Sequence, residues 1–242
     1  MSSSLVLNQH VVGTNTVQTR ITFNEGSSEF ELYDYIMPQK YWEEDSSVTP
    51  AMVMDFMKQA EGDITVRINS RGGEVGSALV MYNRLKEYNR GKVTTVVDGY
   101  AFSSAGWVAM AGAERTINKG GLFMLHNPLM CPEIQSESDI ETVTNQWRAH
   151  KSSIIDIFNE ATGMDKEKIS DYMEKETYMS ADEAVENGFF TGMKNAKANT
   201  SALNCFRDRL PDYVQEMIVV DTTEDVALRD KAQQLRKKLF TL

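Results

Sequence analysis

Apolar positions along this chain alternate between two periods. Residues 30–36 alternate apolar and polar, the pattern of a half-buried strand. Thr49-Pro50 reads as an N-cap followed by proline in a first helical turn, and Val53, Phe56, Met57 and Ala60 continue it at helical spacing. In Ile64-Thr65-Val66-Arg67-Ile68, the residues Ile64, Val66 and Ile68 share one strand face. That strand ends in Asn69-Ser70-Arg71-Gly72-Gly73, and a helix with Val75, Leu79, Tyr82 and Leu85 on one stripe follows. Residues 93–97 predict a buried strand closed by Asp98-Gly99. Residues 103–110 are small and apolar, suiting a buried helix, and residues 122–125 form a short apolar strand ending at His126-Asn127-Pro128. Strand, helix, strand, helix, strand predicts an α/β fold with a largely parallel sheet and right-handed crossovers.

Residues 136–162 predict one long amphipathic helix, its stripe made of Ile140, Val143, Trp147, Ile154, Ile157 and Phe158. Residues 165–175 and 180–187 predict two shorter helices. The two ends differ in character. Residues 1–20 are polar, Ser/Thr/Asn-rich and weakly patterned, and read as a mobile or partner-ordered arm. Residues 21–194 then form one domain and residues 195–242 a C-terminal extension. In that extension, residues 194–202 suit a linker, residues 214–220 fit strand or helix, and Thr222 to Asp225 resembles a capping box. Residues 229–242 mix Arg and Lys with Leu235, Leu239 and Phe240, as in a solvated helix that docks on the domain or a partner.

Composition narrows the function. The chain has 242 residues, and 25 Lys+Arg against 35 Asp+Glu give a net charge of −10. That balance argues against a nucleic-acid partner. No apolar run approaches the roughly 18 residues that span a membrane, and the N-terminus lacks a basic then apolar secretory pattern. Two Cys cannot build a disulfide framework or a four-Cys zinc site, and a reducing cytoplasmic setting fits. With only three His, any imidazole chemistry rests on His10, His126 or His150. His10 falls in the arm, and His150 lies on the stripe of the long helix, as a core or subunit contact.

Gly72-Gly73, Ser103-Ser104 and His126 fall at the carboxyl ends of successive predicted strands, the edge where reactive groups collect in open α/β sheets. Together they supply the parts acyl transfer needs. Ser103 at a strand-to-helix turn can expose its hydroxyl. The Ser104 amide can face an oxyanion, and Gly73 lets a second amide approach a substrate. His126 can take the Ser103 proton and return it to a leaving amine.

These residues carry a resemblance. Gly-Tyr-Ala-Phe-Ser-Ser-Ala-Gly (residues 99–106), followed by Ala111-Gly112, resembles the nucleophile segment of the ClpP-type serine peptidases. Asn69-Ser70-Arg71-Gly72-Gly73 resembles their Asn-Ser-Pro-Gly-Gly loop, with Arg71 in place of the usual Pro. Met124-Leu125-His126-Asn127-Pro128 resembles their histidine segment, and residues 180–188 resemble their Ser/Thr-Ala-x-Glu-Ala-x-x-x-Gly stretch. Further stretches, such as residues 66–70 and Glu176-Thr177-Tyr178-Met179, are similar to the ClpP-related head-maturation proteases of tailed phages.

The resemblance implies a ClpP/crotonase-like fold of repeated β-β-α/βαβ units with a long oligomerisation helix. It implies a serine endopeptidase with nucleophile Ser103, base His126 and oxyanion amides from Gly73 and Ser104. Counting back from Ala181 puts the acid at Glu176, with Asp171 a nearby alternative and an exposed helix-end charge the plain reading of Glu176. Phe102, which replaces a small residue before the nucleophile, either narrows the pocket or fills core. Homo-oligomeric rings, commonly of seven subunits and often stacked, are implied, with no metal or organic cofactor. Housekeeping members rely on an ATPase unfoldase. A phage enzyme would meet capsid and scaffold substrates by co-assembly in the host cytoplasm or prohead. Two rivals share the fold: a crotonase-like acyl-CoA enzyme, and an inactive ring or scaffold-binding protein.

Overall fold

A computed structural model describes residues 3–6, 10–12, 15–17, 20–24, 26–42 and 45–194. The linker, capping box and terminal helix expected beyond residue 194 lie outside the described residues. The elements run β1 (Ser3–Val6), β2 (His10–Val12), β3 (Asn15–Val17), β4 (Arg20–Asn24), β5 (Ser27–Tyr33), α1 (Pro50–Gln59), β6 (Asp63–Ser70), α2 (Val75–Lys86), β7 (Val93–Phe102), α3 (Ser104–Ala109), β8 (Glu114–Asn118), β9 (Leu122–Leu125), α4 (Glu137–Thr162), α5 (Lys166–Glu174), β10 (Thr177–Ser180), α6 (Ala181–Glu186) and β11 (Gly192–Lys194).

The expected mixed α/β architecture is present. Strands β5, β6, β7, β8 and β11 pair in parallel, in that order from β5 outward. β1 and β4 extend the β5 edge antiparallel. β1 and the β2–β3 hairpin lie within the polar segment read as an arm, whose weak patterning hid these strands. β7 also pairs in parallel with β9 through its last three residues, and β9 pairs antiparallel with β10. The sheet therefore forks along β7: residues 94–97 face β8 and residues 100–102 face β9.

The fork corrects one expectation. Asp98-Gly99 does not close the strand. Ile68 pairs with Val97 but Ser70 pairs with Ala101, so β7 carries two extra residues there and bulges. The Asn69 side-chain oxygen bridges the irregular stretch by accepting from the Tyr100 amide at 3.1 Å. Asp98, 2% exposed, anchors the bulge. It accepts from Tyr33 Oη (2.7 Å), Arg67 Nε (2.8 Å), Arg67 Nη2 and Asn118 Nδ2 (2.8 Å), joining β5, β6, β7 and β8 through one carboxylate. Burial and the Asp98 charge push the Tyr33 hydroxyl far above its ordinary pKa.

Apolar burial follows the predicted faces. Ile64, Val66 and Ile68 are all buried, in one core with Val53 and Phe56 of α1, its C-cap Ala60, and Ala78, Met81, Tyr82 and Leu85 of α2. Thr49 caps α1, accepting from the Met52 amide at 3.4 Å. The Ser180–Glu183 stretch is a capping box at the start of α6: Glu183 Oε2 accepts from the Ser180 amide at 2.9 Å, and Ser180 Oγ accepts from the Glu183 amide at 3.4 Å. The long helix departs from its expected stripe. Only Ile154, Ile157 and Phe158 are buried, whereas Ile140 is 54% exposed, because the N-terminal half of α4 runs past the edge of the core.

Candidate active site

β6, β7 and β9 end side by side, and each delivers one predicted functional feature at its carboxyl end: Gly72-Gly73, Ser103 and His126. The Ser103 amide donates to Met124 O at 2.9 Å. That bond extends the β7–β9 ladder by one step and holds the two strand ends in register. Ser103 Oγ and His126 Nε2 consequently lie 2.7 Å apart, within hydrogen-bond reach for proton transfer.

Ser103 has φ 53° and ψ −127°, an uncommon backbone for a residue with a side chain. The sharp turn between β7 and α3 lifts its hydroxyl off the sheet and turns the chain so that Ser104 begins α3. As the first helical residue, Ser104 has no intrahelical acceptor for its amide.

Side chains hold the glycine loop against this turn. Ser70 Oγ donates to Asp34 O at 2.5 Å and accepts from the Gly72 amide at 3.0 Å. Ile36 runs alongside, its amide donating to Gly72 O and its carbonyl accepting from the Glu74 amide, each at 2.9 Å. The Gly73 amide between them makes no such bond, and Gly73 is exposed whereas Gly72 is buried. Both positions demand glycine. A Cβ on Gly73 would sit 2.0 Å from Ile36 O, and one on Gly72 would sit 2.8 Å from the Ser104 nitrogen. Gly72, which the sequence marked only as part of a turn, thus keeps the Ser104 amide clear.

Glu176 precedes β10. In the β9–β10 register Leu125 faces Thr177, so one step further His126 faces Glu176. The Glu176 carboxylate is exposed and accepts from Tyr178 Oη at 3.1 Å. It acts on His126 as a charge, without a hydrogen bond to the ring. Burial pushes the His126 pKa below its ordinary value, and the Glu176 charge raises it without restoring it. That direction favours the neutral ring at pH 7, the form a base requires. Asp171, the alternative acid, is exposed and paired at 2.7 Å with Lys175, the C-cap of α5.

A cleft of about 280 Å³ opens over Ser103 and His126, walled by Tyr35, Arg71, Phe102, Trp107, Met124, Leu129 and Tyr178 among others. Phe102 does both things expected of it. It lines the cleft, and it is 2% exposed, stacked on Tyr100 at 4.8 Å between ring centroids. Tyr178 meets it edge-on at 5.5 Å. The sequence reading missed Tyr178, Tyr35 and Trp107 as wall residues; Tyr178, two residues after Glu176 in the quoted motif, carried the only local signal. His150 stays outside the cleft lining, half-buried on α4. Among the described residues no group of three His, Cys, Asp or Glu could hold a metal ion, and no helix is long and apolar enough to cross a membrane.

Residues 35–195 match the Clp protease family. The ATP-dependent Clp protease proteolytic subunit of Ligilactobacillus salivarius is 28% identical over 185 residues, covering 72% of this chain and 93% of that protein. The ATP-dependent Clp protease proteolytic subunit 1 of Chlamydia muridarum is 31% identical over 129 residues, covering 52% of this chain and 67% of that protein. Its counterpart in Chlamydia abortus is 30% identical over the same length.

Proposed function

The chain belongs to the Clp protease family, and on that footing we propose that it is a serine endopeptidase using Ser103, His126 and Glu176. The observation that carries the reading is the 2.7 Å contact between Ser103 Oγ and His126 Nε2 beside two available amides. Ser103 Oγ attacks the scissile carbonyl carbon while its proton passes to His126 Nε2. The Gly73 and Ser104 amides hold the oxyanion. As the intermediate collapses, the C–N bond breaks and His126 returns the proton to the leaving amine. Water, deprotonated by the same ring, then hydrolyses the acyl-enzyme and regenerates Ser103. Glu176 supports the imidazolium formed on the way.

The protein assembles as a homo-oligomeric ring. Leu129, Ile134 and Ile140, 78%, 54% and 54% exposed, support this as apolar contacts that one subunit leaves open. Its substrates are capsid and scaffold proteins processed during prohead assembly, in the host cytoplasm or prohead, without an ATPase partner. That assignment rests on the similarity of residues 66–70 and 176–179 to phage head-maturation proteases. Residues 1–20 and 195–242 flank the peptidase domain as arm and extension.

The test is incubation of the purified protein with candidate capsid and scaffold proteins, wild type beside Ser103→Ala, read by mass spectrometry. A fluorophosphonate probe should label Ser103 in the wild type only. Cleavage that persists in Ser103→Ala would sink the assignment.

A further inference from the structure

We propose that Arg71 makes the cleft selective for substrates carrying a carboxylate side chain close to the scissile bond, an inference that rests on the peptidase reading. Arg71 precedes Gly72-Gly73, and its side chain lines the same cleft as Ser103 and His126. Its Nη1 donates to Tyr35 Oη at 3.3 Å, which ties down one corner of the guanidinium. Among the described residues Arg71 forms no ion pair, although nine other contacts between acidic and basic side chains occur there. Among the described residues it is also the only Lys, Arg, Asp or Glu lining the cleft. The other walls are mainly Val75, Phe102, Trp107, Met124, Pro128 and Leu129.

A carboxylate entering such a cleft leaves water for a largely apolar surface. That transfer is unfavourable unless a fixed cation receives it. An arginine held at one corner still offers its remaining N–H donors as a fork, the geometry that pairs both carboxylate oxygens. The chain as a whole repels acidic peptides, with its net charge of −10. Selection by Arg71 is therefore local. It acts at a position beside the reacting bond and not on the overall charge of the substrate. Glu176 is bonded to Tyr178, a wall residue, and its charge acts on His126, so positions on that side of the cleft gain nothing from an acidic residue.

The experiment is a position-scanned library of fluorogenic peptides with Glu, Gln or Lys at each position flanking the cleaved bond, run on the full chain. Wild type should cleave Glu over Gln by about three- to tenfold in kcat/KM at one position, the size of a single partly exposed ion pair, and less at high salt. Arg71→Lys should keep only part of that ratio, because lysine retains the charge without the fork. Arg71→Gln should bring it to about one, and Arg71→Glu should favour Lys. A ratio of one in the wild type, or one unchanged in Arg71→Gln, overturns the proposal while leaving the peptidase reading intact. If no peptide is cleaved, the peptidase reading fails instead. Binding of the labelled Glu and Gln peptides to Ser103→Ala then decides: a Glu preference that disappears in the Ser103→Ala/Arg71→Gln double variant supports the selectivity, and equal binding overturns it.

Discussion

The Glu176 carboxylate accepts a hydrogen bond from Tyr178 Oη, 3.1 Å away, while facing His126 across the continued β9–β10 register. Its influence on the ring is through charge. Glu176→Gln should lower the turnover number by roughly 10²-fold, less than the loss typical of a triad acid bonded directly to its histidine. Turnover that does not change in this variant, measured with a fluorogenic peptide, would remove Glu176 from the machinery.

The pH dependence has a definite sign. Burial lowers the His126 pKa, so the acid limb of kcat/KM falls below the ordinary histidine value of about 6.5. Glu176 raises that pKa, so Glu176→Gln should move the limb to still lower pH. The same shift bears on folding. The folded state binds fewer protons than the unfolded chain, so the His126 contribution is fully present above about pH 6.5 and is lost as pH falls toward the lowered value. His126→Gln should flatten that part of a stability-against-pH curve.

Ser103 spends backbone strain on its position. At φ 53° and ψ −127° glycine is at ease and alanine is not. Ser103→Gly and Ser103→Ala should both be inactive, but the glycine variant should be the more stable by about 1 kcal/mol in denaturant titration. Equal stabilities would mean that the turn carries no strain.

Gly72→Ala tests the oxyanion pocket together with the turn that carries the nucleophile, since the added methyl would also sit 3.0 Å from Ser103 Cβ. A methyl group 2.8 Å from the Ser104 nitrogen and 2.7 Å from Phe102 O forces the turn to move. Turnover should fall by roughly 10²–10³-fold, as when one oxyanion donor is lost. The fluorophosphonate labelling rate checks this, since it depends on the same pocket.

Asp98→Asn should cost about 3 kcal/mol, because it leaves the half-buried Arg67 guanidinium facing a neutral amide. Tyr33→Phe removes one neutral donor to the same carboxylate and should cost about 1 kcal/mol. Urea unfolding of the two variants compares them directly.

Ser103, His126 and the glycine pair were legible in the sequence because each joins a distinctive residue type to a strand end that periodicity can find. The β7 bulge was not, since Asp98-Gly99 carries the local marks of a turn and only pairing with β6 shows that the strand continues. β8 and β11 escaped notice for a similar reason. Glu114–Asn118 has one large apolar residue, Ile117, and Gly192–Lys194 is three residues long, so neither shows a readable period. The α4 stripe is real as a pattern, but burial depends on what lies opposite, and at Ile140 nothing in the described subunit does. The Arg71–Tyr35 contact joins residues 36 apart, which no local pattern encodes.

The antiparallel pairing of β10 with β9 has a consequence for synthesis. Tyr178 and Glu176 reach the site only after nearly all of the described chain has been made, whereas Ser103 and His126 emerge from the ribosome well before them. A chain that ends before residue 176 contains nucleophile and base but lacks the carboxylate and the Tyr178 wall of the cleft. The carboxylate and that wall are therefore the last parts of the described site to be synthesised.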